Sequence, residues 1–176
     1  MDARAEEEFR VFVAARWHTL VRTAVLLTGD HGLAEDLVQQ TLVIVHRRWG
    51  SILRQENPSA YARRVLVNEN LRRFRRRRLV EVLNGGFRSD DPLVLDPADP
   101  GTPTDDLERR ETLLAGLAAL PPRMRAALVL RYFEDLSEAE TAEALECSVG
   151  TVKSQCSRGL DRLRVLLGEP TETRQS

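Results

Sequence analysis

A chain of 176 residues is long enough for one ordinary domain or two small helical ones, and we predict two small domains. Aromatic residues make up 5% of the sequence, and apolar residues recur every three or four positions with no strand-like alternation, which indicates an all-α fold. The net charge of −1 hides an uneven distribution of charge along the chain. Residues 1–78 hold 15 arginines and 9 acidic residues, and residues 79–107 hold 1 arginine and 7 acidic residues. Residues 108–176 hold 10 basic and 11 acidic residues.

The same composition excludes several classes of protein. No stretch offers the roughly 18 uninterrupted apolar residues of a membrane span, and the acidic residues 1–10 lack the apolar core of a signal peptide, so we expect a cytoplasmic protein with no membrane partner. Cys147 and Cys156 are too few for a disulfide framework, and the three histidines show no metal-ligand spacing with them. We expect no metal, no cofactor and structural roles for both cysteines, rather than redox roles.

Three helices are predicted for the basic first domain, residues 1–78. The first spans residues 6–28 and ends near Gly29, and the second begins at Asp30, whose side chain can cap it. A loop over residues 50–57 precedes the third helix, which runs to about Arg78. The second helix carries an apolar stripe on one face and polar residues, including Asp36, Gln39 and Gln40, on the other.

Six arginines within seven positions end the third helix, with Phe74 among them (Arg72, Arg73, Arg75, Arg76, Arg77 and Arg78). Such a cluster suits the phosphate backbone of a nucleic acid, because each neutralised phosphate releases counterions. A solvated cationic helix end is the alternative, since the helix dipole favours positive charge there. The density of charge exceeds what capping requires, which favours phosphate binding by Arg72, Arg75 and Arg76.

An acidic linker is predicted over residues 79–107, which are rich in Asp, Pro and Gly and too poor in apolar periodicity to pack. The second domain, residues 108–168, opens with a helix to Leu120, and a second helix starts after Pro121. Ser137 and Glu140 form a capping box for a short helix. Residues 169–176 are expected to form a frayed tail.

The end of the second domain has the pattern of a helix-turn-helix. A turn over residues 146–148 leads into a last helix, residues 149–167, with a buried stripe predicted at Val149, Val152, Cys156, Leu160 and Leu163. The open face then carries Lys153, Ser154, Ser157 and Arg158, residue types that read base edges or phosphates in the major groove. An ordinary amphipathic hairpin gives a similar pattern, but the basic first domain favours DNA binding.

These strings together resemble extracytoplasmic-function sigma factors of the sigma-70 family. The string AEDLVQQT at residues 34–41 resembles region 2.2, and YARRVLVN at 61–68 resembles regions 2.3 and 2.4. In the second domain, LPPR at 120–123, LRYFEDLS at 130–137 and CSVGTVKS at 147–154 resemble region 4. The strings occur in the family order and cover nearly the whole chain outside the linker and tail.

The resemblance implies partners and roles. It implies that core RNA polymerase binds the open face of the second helix, at Asp36, Gln39, Gln40 and Val43, although Gln40 stands where the family usually has Glu. It also implies that Asn68 lines a pocket for a base drawn from the melted minus-ten element, with Arg64 and Tyr61 nearby. Tyr61 is equally well explained as a core residue.

The predicted function is therefore that of a sigma factor, which directs promoter-specific initiation and performs no bond chemistry. Its second domain is expected to read the minus-thirty-five element as duplex, and an anti-sigma factor is a further expected partner. A stand-alone helix-turn-helix regulator is the main alternative, but it leaves the string at residues 34–41 unexplained. The chain departs from the family at Glu146, where glycine is common, so we expect a turn there that is either strained or differently shaped.

Overall fold

The computed structural model describes residues 3–55, 57–83 and 105–167. Within these ranges the chain forms seven α-helices and no strand: α1 (Ala3–Thr28), α2 (His31–Gln55), α3 (Pro58–Leu83), α4 (Asp105–Ala118), α5 (Pro122–Leu128), α6 (Glu138–Ala144) and α7 (Val149–Leu166). A π-helical turn, Val129–Phe133, continues α5. The predicted all-α class is confirmed.

The helices α1–α3 form an N-terminal bundle, and their ends follow local chemistry. Gly29 ends α1 with a φ of 77°, a conformation that costs glycine little. The predicted cap on α2 is confirmed, because Asp30 Oδ1 accepts a hydrogen bond of 2.7 Å from the Leu33 N–H. Asn57 caps α3 in the same way, with Oδ1 at 2.9 Å from the Ser59 N–H.

Two predicted boundaries in this bundle are wrong. The helix α2 continues to Gln55, so the loop predicted over residues 50–57 is mostly helical. The reason is that Ile52 lies one turn beyond Trp49 and is buried with it, which offsets the cost of a helical Gly50. The helix α3 continues to Leu83, five residues beyond the predicted end at Arg78, so the linker does not begin at residue 79.

The helices α4–α7 form a C-terminal bundle. The helix α4 begins at Asp105, and Pro122 begins α5. Val152, Cys156 and Leu163 of α7 are buried as predicted, but Val149 is 38% exposed because it lies in the first turn, before the helix reaches the core. The remainder of the predicted linker, residues 84–104, and the predicted tail lie outside the described residues.

A single cluster of buried apolar side chains runs through both bundles. In the N-terminal bundle it includes Leu27 and Leu66, and in the C-terminal bundle it includes Leu117, Leu128 and Leu130. The two bundles therefore pack directly against each other: α1 packs on α4, α5 and the π-helical turn, and α3 packs on α5 and α6.

Candidate nucleic-acid interface and adjoining surfaces

The open face of α2 lies opposite its buried stripe. Asp36, Gln39, Gln40 and Val43 are all exposed, and Val43 leaves 50% of its surface accessible. The three polar side chains form no hydrogen bond or ion pair with any residue that the structure describes. The buried stripe holds Ala34, Leu37, Val38, Thr41 and Val45 at 0% exposure. This helix is therefore anchored by one face and leaves the other available to a partner.

The base-reading residues expected on α3 divide between surface and core. Asn68 is partly exposed, and its Nδ2 donates a hydrogen bond of 3.2 Å to Glu146 Oε1. Tyr61 is only 6% exposed, and its hydroxyl accepts a hydrogen bond of 3.3 Å from Arg48 Nη1, so this ring belongs to the core. The Arg64 guanidinium lies 5.1 Å from the centre of that ring.

The arginine cluster at the end of α3 is mostly exposed. Arg72 is held beside Glu69 at 2.9 Å, and Arg73 Nη1 donates to the Leu33 carbonyl at 3.3 Å. Four arginines are exposed on the last turns of the helix (Arg75, Arg76, Arg77 and Arg78). The cluster is thus a cationic surface continuous with Asn68 and suited to an anionic backbone.

The predicted helix-turn-helix is present as α6, the turn and α7. The predicted capping box is confirmed: Ser137 Oγ accepts from the Glu140 N–H at 3.1 Å, and Glu140 Oε2 accepts from the Ser137 N–H at 2.8 Å. The backbone hydrogen bond from Ser137 holds the pKa of Glu140 below its ordinary value. Ser148 caps α7 by accepting from the Thr151 N–H at 3.1 Å; a serine directly before the helix was a readable signal that the sequence interpretation did not use.

Two residues explain how the turn and α7 are held. Glu146 has a φ of 51°, which confirms the strain expected where glycine is common. Gly159 lies where a Cβ atom would approach Leu128 Cδ1 to 2.9 Å, so a larger residue in α7 would require Leu128 of α5 to shift. Burial raises the pKa of the Cys156 thiol, as expected for a packed cysteine on the inner face of α7.

The outer face of α7 presents the predicted DNA-reading side chains. Lys153, Ser157 and Arg158 are exposed, and Ser154 is partly exposed because its hydroxyl donates to the Thr151 carbonyl at 3.0 Å. Lys153 Nζ lies 3.5 Å from Glu138 Oε2, in a solvent-exposed ion pair. Such pairs contribute little to stability, so Lys153 remains accessible to an anionic ligand.

Acidic residues of the C-terminal bundle contact the α3 surface, an arrangement that the sequence interpretation missed. Arg63 Nε lies 2.9 Å from Glu134 Oε2, and Thr23 Oγ1 donates to the other oxygen of the same carboxylate. Arg64 Nη1 lies 3.8 Å from Glu143 Oε1, next to the Asn68–Glu146 hydrogen bond. No local sequence pattern signals these contacts, because the partners are separated by 71 or more positions.

Arg125 forms the buried polar link between the bundles. It is 2% exposed, its Nη1 donates to the Leu27 carbonyl at 2.8 Å, and its Nη2 donates to the carbonyls of Ala118 and Leu120. The guanidinium also lies 5.7 Å from the centre of the Phe74 ring. It forms no ion pair within the described ranges, and burial lowers its pKa to about 10.

Other kinds of site find no support in the part of the chain that the structure describes. No group of three or more His, Cys, Asp or Glu side chains there could hold a metal ion. No helix among the described residues has the length and apolar character needed to cross a bilayer. A cavity lined by α1, α3 and Glu134 has a water-sized space of about 20 Å³, too little for more than a water molecule. A wider, open cleft of about 680 Å³ lies between the start of α1 and the end of α2.

Comparisons with known proteins match both bundles, in their order along the chain. Residues 13–80 match the family described as Sigma-70 region 2, and residues 110–163 match Sigma-70, region 4. The RNA polymerase sigma-E factor of Streptomyces coelicolor is 38% identical over 157 residues, covering 89% of this chain and 84% of that protein. The ECF RNA polymerase sigma factor SigM of Mycobacterium tuberculosis is 31% identical over 161 residues, covering 86% and 71%.

A solved structure has the same fold. The sigma factor RpoE of Bartonella quintana, in complex with the anti-sigma factor NepR, superposes with a TM-score of 0.72 at 29% sequence identity. The superposition covers 92% of this chain and 98% of that chain, so it includes both bundles.

Proposed function

Since the chain belongs to the extracytoplasmic-function group of the sigma-70 family of RNA polymerase sigma factors, we propose that it binds core RNA polymerase and directs promoter-specific initiation. The observation that carries the proposal is the occurrence of both sigma-70 regions, in order, on two bundles that each present an open functional face. A stand-alone regulator is not favoured, because it needs neither region 2 nor a free α2 face.

The proposal assigns one task to each bundle. The helices α1–α3 form a domain that binds polymerase and that reads and melts the minus-ten element. The helices α4–α7 form a domain that reads the minus-thirty-five element as duplex through α7. The chain acts in the cytoplasm, where polymerase and promoter DNA are found, and it performs no bond chemistry.

Polymerase docking is assigned to the open face of α2. The assignment is supported by four exposed residues on this face, whose helix is anchored by its opposite face. The four residues are Asp36, Gln39, Gln40 and Val43. Val43 supplies an apolar centre within a polar rim, which is the composition of a protein interface. Gln40 leaves this face with one charge fewer than the usual family pattern, so docking here depends more on Asp36.

A pull-down of core polymerase tests this assignment. The double variant Asp36→Arg, Gln39→Arg should lose core polymerase while keeping its helical circular dichroism, because two cations replace polar residues in the rim of the docking face. The matched control is Glu7→Arg, Ala14→Arg on exposed positions of α1, which changes the net charge by the same amount. Equal retention of polymerase by both variants would contradict the assignment.

Minus-ten recognition is assigned to the α3 surface. Asn68 can donate to and accept from a base edge, and Arg64 lies one turn away on the same side. The exposed cations Arg72, Arg75 and Arg76 extend the surface toward the phosphates of the same strand. Tyr61 supports this surface from the core, since its ring lies under Arg64.

Regulation by a partner protein is part of the proposal. The solved relative from Bartonella quintana is bound to an anti-sigma factor and superposes over nearly its whole length. We extend to this chain the proposal that a protein of that class binds it and withholds it from polymerase.

A further inference from the structure

The open cleft between the start of α1 and the end of α2 has no task in the proposed function. Its volume is about 680 Å³, and its described lining holds four arginines and one glutamate (Arg4, Arg47, Arg48, Arg54 and Glu8). Glu8 lies 3.1 Å from Arg4 Nε and pairs with that arginine. The arginines that α2 contributes therefore outnumber the acids in the described lining, and the cleft is suited to an anion.

Two of these arginines are available to a ligand. Arg47 and Arg54 are exposed, and neither forms a hydrogen bond or an ion pair with any residue that the structure describes. The Arg54 guanidinium folds back along α2, since its Nη1 lies 3.9 Å from the position that a Cβ atom on Gly50 would take. Leu53 is 44% exposed and adds an apolar patch to the lining. Exposed guanidinium groups bind phosphate, and an apolar side chain packs against a sugar or a base.

An aromatic cluster fixes the spacing of the two helices that form the cleft. The centre of the Phe9 ring lies 4.9 Å from that of His46 and 5.2 Å from that of Trp49. The Phe12 ring lies 5.0 Å from the Trp49 ring, which is only 2% exposed. The arginines of the cleft therefore project from an anchored helix, which lowers the ordering cost of binding.

Arg48 connects the cleft to the surface assigned to minus-ten recognition. It lines the cleft, and its Nη1 donates a hydrogen bond of 3.3 Å to the Tyr61 hydroxyl. The Tyr61 ring lies 5.1 Å from the guanidinium of Arg64, which is one turn from Asn68. At a rise of about 1.5 Å per residue, Tyr61 and Asn68 are about 10 Å apart along α3. A strand with one base at Asn68 therefore reaches the cleft within a few nucleotides.

The cleft lies at the opposite end of α3 from the arginine cluster. The helix α3 begins at Pro58, just after α2 ends at Gln55, whereas the cluster occupies its last turns. From that far end the chain leads to the bundle assigned to the upstream minus-thirty-five element. The arginine cluster therefore faces upstream DNA, and the cleft faces the strand on the downstream side of the minus-ten element.

We infer that this cleft is a further binding site for single-stranded DNA, and that Arg47 and Arg54 bind phosphates of the non-template strand just downstream of the minus-ten element. The inference rests on the proposed function. It goes beyond it in naming a contact for the melted strand outside the α3 surface. An acidic protein surface has a similar charge, but the continuity of the cleft with α3 favours DNA.

The test compares two full-length variants, each assembled into holoenzyme, that lose the same charge. Arg47→Gln, Arg54→Gln removes the two available cations of the cleft. The control, Arg10→Gln, Arg22→Gln, removes two exposed cations of α1 that do not line the cleft. Both variants should keep their helical circular dichroism and retain core polymerase in a pull-down.

Fluorescence anisotropy gives the Kd of each holoenzyme for two promoter templates. The non-template strand of the short template ends with the minus-ten element, and that of the long template continues for about six unpaired nucleotides. The wild type and both variants should bind the short template alike. The cleft variant should bind the long template about threefold to tenfold more weakly than the control. Its slope of log Kd against log salt should be shallower by about 1.4, since each phosphate contact on a single strand contributes about 0.7.

Neutral linkages in the DNA give an independent readout. Methylphosphonate linkages in the unpaired extension remove the phosphate charges instead of the arginines. They should weaken binding by the wild type and the control more than binding by the cleft variant, because two changes to one contact are not additive. Equal weakening of all three holoenzymes would contradict the inference.

An equal Kd of the cleft variant and the control for the long template would overturn the inference. An equal loss on both templates would overturn it as well, because the arginines would then serve the minus-ten element itself. Loss of core polymerase by the cleft variant alone would assign the cleft to a protein partner instead of DNA.

A separate measurement tests the proposed function. Wild-type holoenzyme should prefer the short template to one with a scrambled minus-ten element, and loss of that preference would contradict the proposed function. If the preference holds while the cleft variant and the control bind the long template equally, the proposed function stands and only the cleft site is removed.

Discussion

Gly159 lies inside the recognition helix at the closest approach between α7 and α5. A Cβ atom added there would lie 2.9 Å from Leu128 Cδ1 and 3.2 Å from Leu128 Cγ, and Leu128 is itself 1% exposed, so any shift of its side chain disturbs other buried residues. Alanine gains about 1 kcal/mol over glycine in an open helix, whereas overpacking a core costs about 1 to 3 kcal/mol. At this position the steric cost exceeds the gain in helix propensity.

Gly159→Ala should therefore lower the free energy of unfolding by about 1 kcal/mol, which corresponds to a fall in Tm of roughly 2 to 4 °C. Thermal unfolding followed by circular dichroism measures it. The control is Gly150→Ala in the exposed first turn of the same helix, where an added Cβ meets nothing nearer than 3.8 Å and the Tm should hold or rise. Equal Tm values for the two variants would mean that α5 moves aside freely.

Single residues differ in how far sequence alone predicts their roles. Asp30, Ser137 and Glu140 were identifiable as caps because a cap depends on neighbours within three or four positions. Arg125 was not identifiable, since arginine is seldom fully buried and its partner Leu27 is 98 positions away. Tyr61 stayed open between core and surface until the packing of α2 against α3 placed its hydroxyl beside Arg48.

At the scale of helices, α7 is the element with the most specific prediction. Its outer face presents Lys153 near the N-terminal end, where a recognition helix enters the major groove, and Arg158 in the middle of the helix. Alanine at either position should weaken holoenzyme binding to promoter duplex by about 1 to 3 kcal/mol if the side chain contacts a base bidentately. Titrations at fixed salt measure the change in Kd.

The control for this series is Arg164→Ala, which removes one cation from the last turn of α7. Arg164 is held by Asp161 at 3.3 Å and lies far from the entering end of the helix. Its loss should change promoter affinity by a few tenths of a kcal/mol at most. If Lys153→Ala and Arg158→Ala resemble this control, then a different face of the C-terminal bundle meets the DNA.

Helix identities were predictable throughout the described ranges, whereas helix ends were less so. The apolar period located every α-helix, but α2 continues through Gly50 because buried Ile52 extends its stripe by one turn. The π-helical turn, Val129–Phe133, has no sequence signal, because intrinsic propensities do not separate five-residue from four-residue hydrogen bonding. It ends immediately before Glu134, the residue that anchors the contact between the bundles.

At the scale of the whole molecule, the packing of one bundle on the other was beyond prediction. The sequence indicated two domains on a linker, and nothing in either pattern pairs Arg63 with Glu134 or Asn68 with Glu146. Such contacts depend on how the two folded bundles pack against each other. In the sequence, each of the acids involved resembles an ordinary solvent-exposed helix residue. The segregation of charge between the domains predicted that the basic surface binds an anion. It indicated only DNA as that anion, and not the carboxylates of the C-terminal bundle.

This packing gives Asn68 a structural contact in addition to the base contact proposed for it. Where the two bundles pack together, its amide donates to Glu146, so Asn68→Ala removes a contact between the bundles. If that contact were the sole role of Asn68, the two bundles of the variant would separate more easily, and the variant would bind DNA at least as well as the wild type. If Asn68 also holds an extruded base, the holoenzyme should instead lose promoter opening, because unstacking the base costs a few kcal/mol that the amide no longer offsets.

Permanganate reactivity of promoter thymines in the holoenzyme separates these two outcomes. We expect Asn68→Ala to retain core polymerase and duplex binding, and to open duplex promoter at least about tenfold less than wild type, with a smaller defect on a premelted template. Asn68→Asp provides a matched comparison, since it keeps the size and an acceptor but loses both donors, and it should resemble alanine if the donors bind the base. Wild-type opening by Asn68→Ala would assign this residue to the contact between bundles alone.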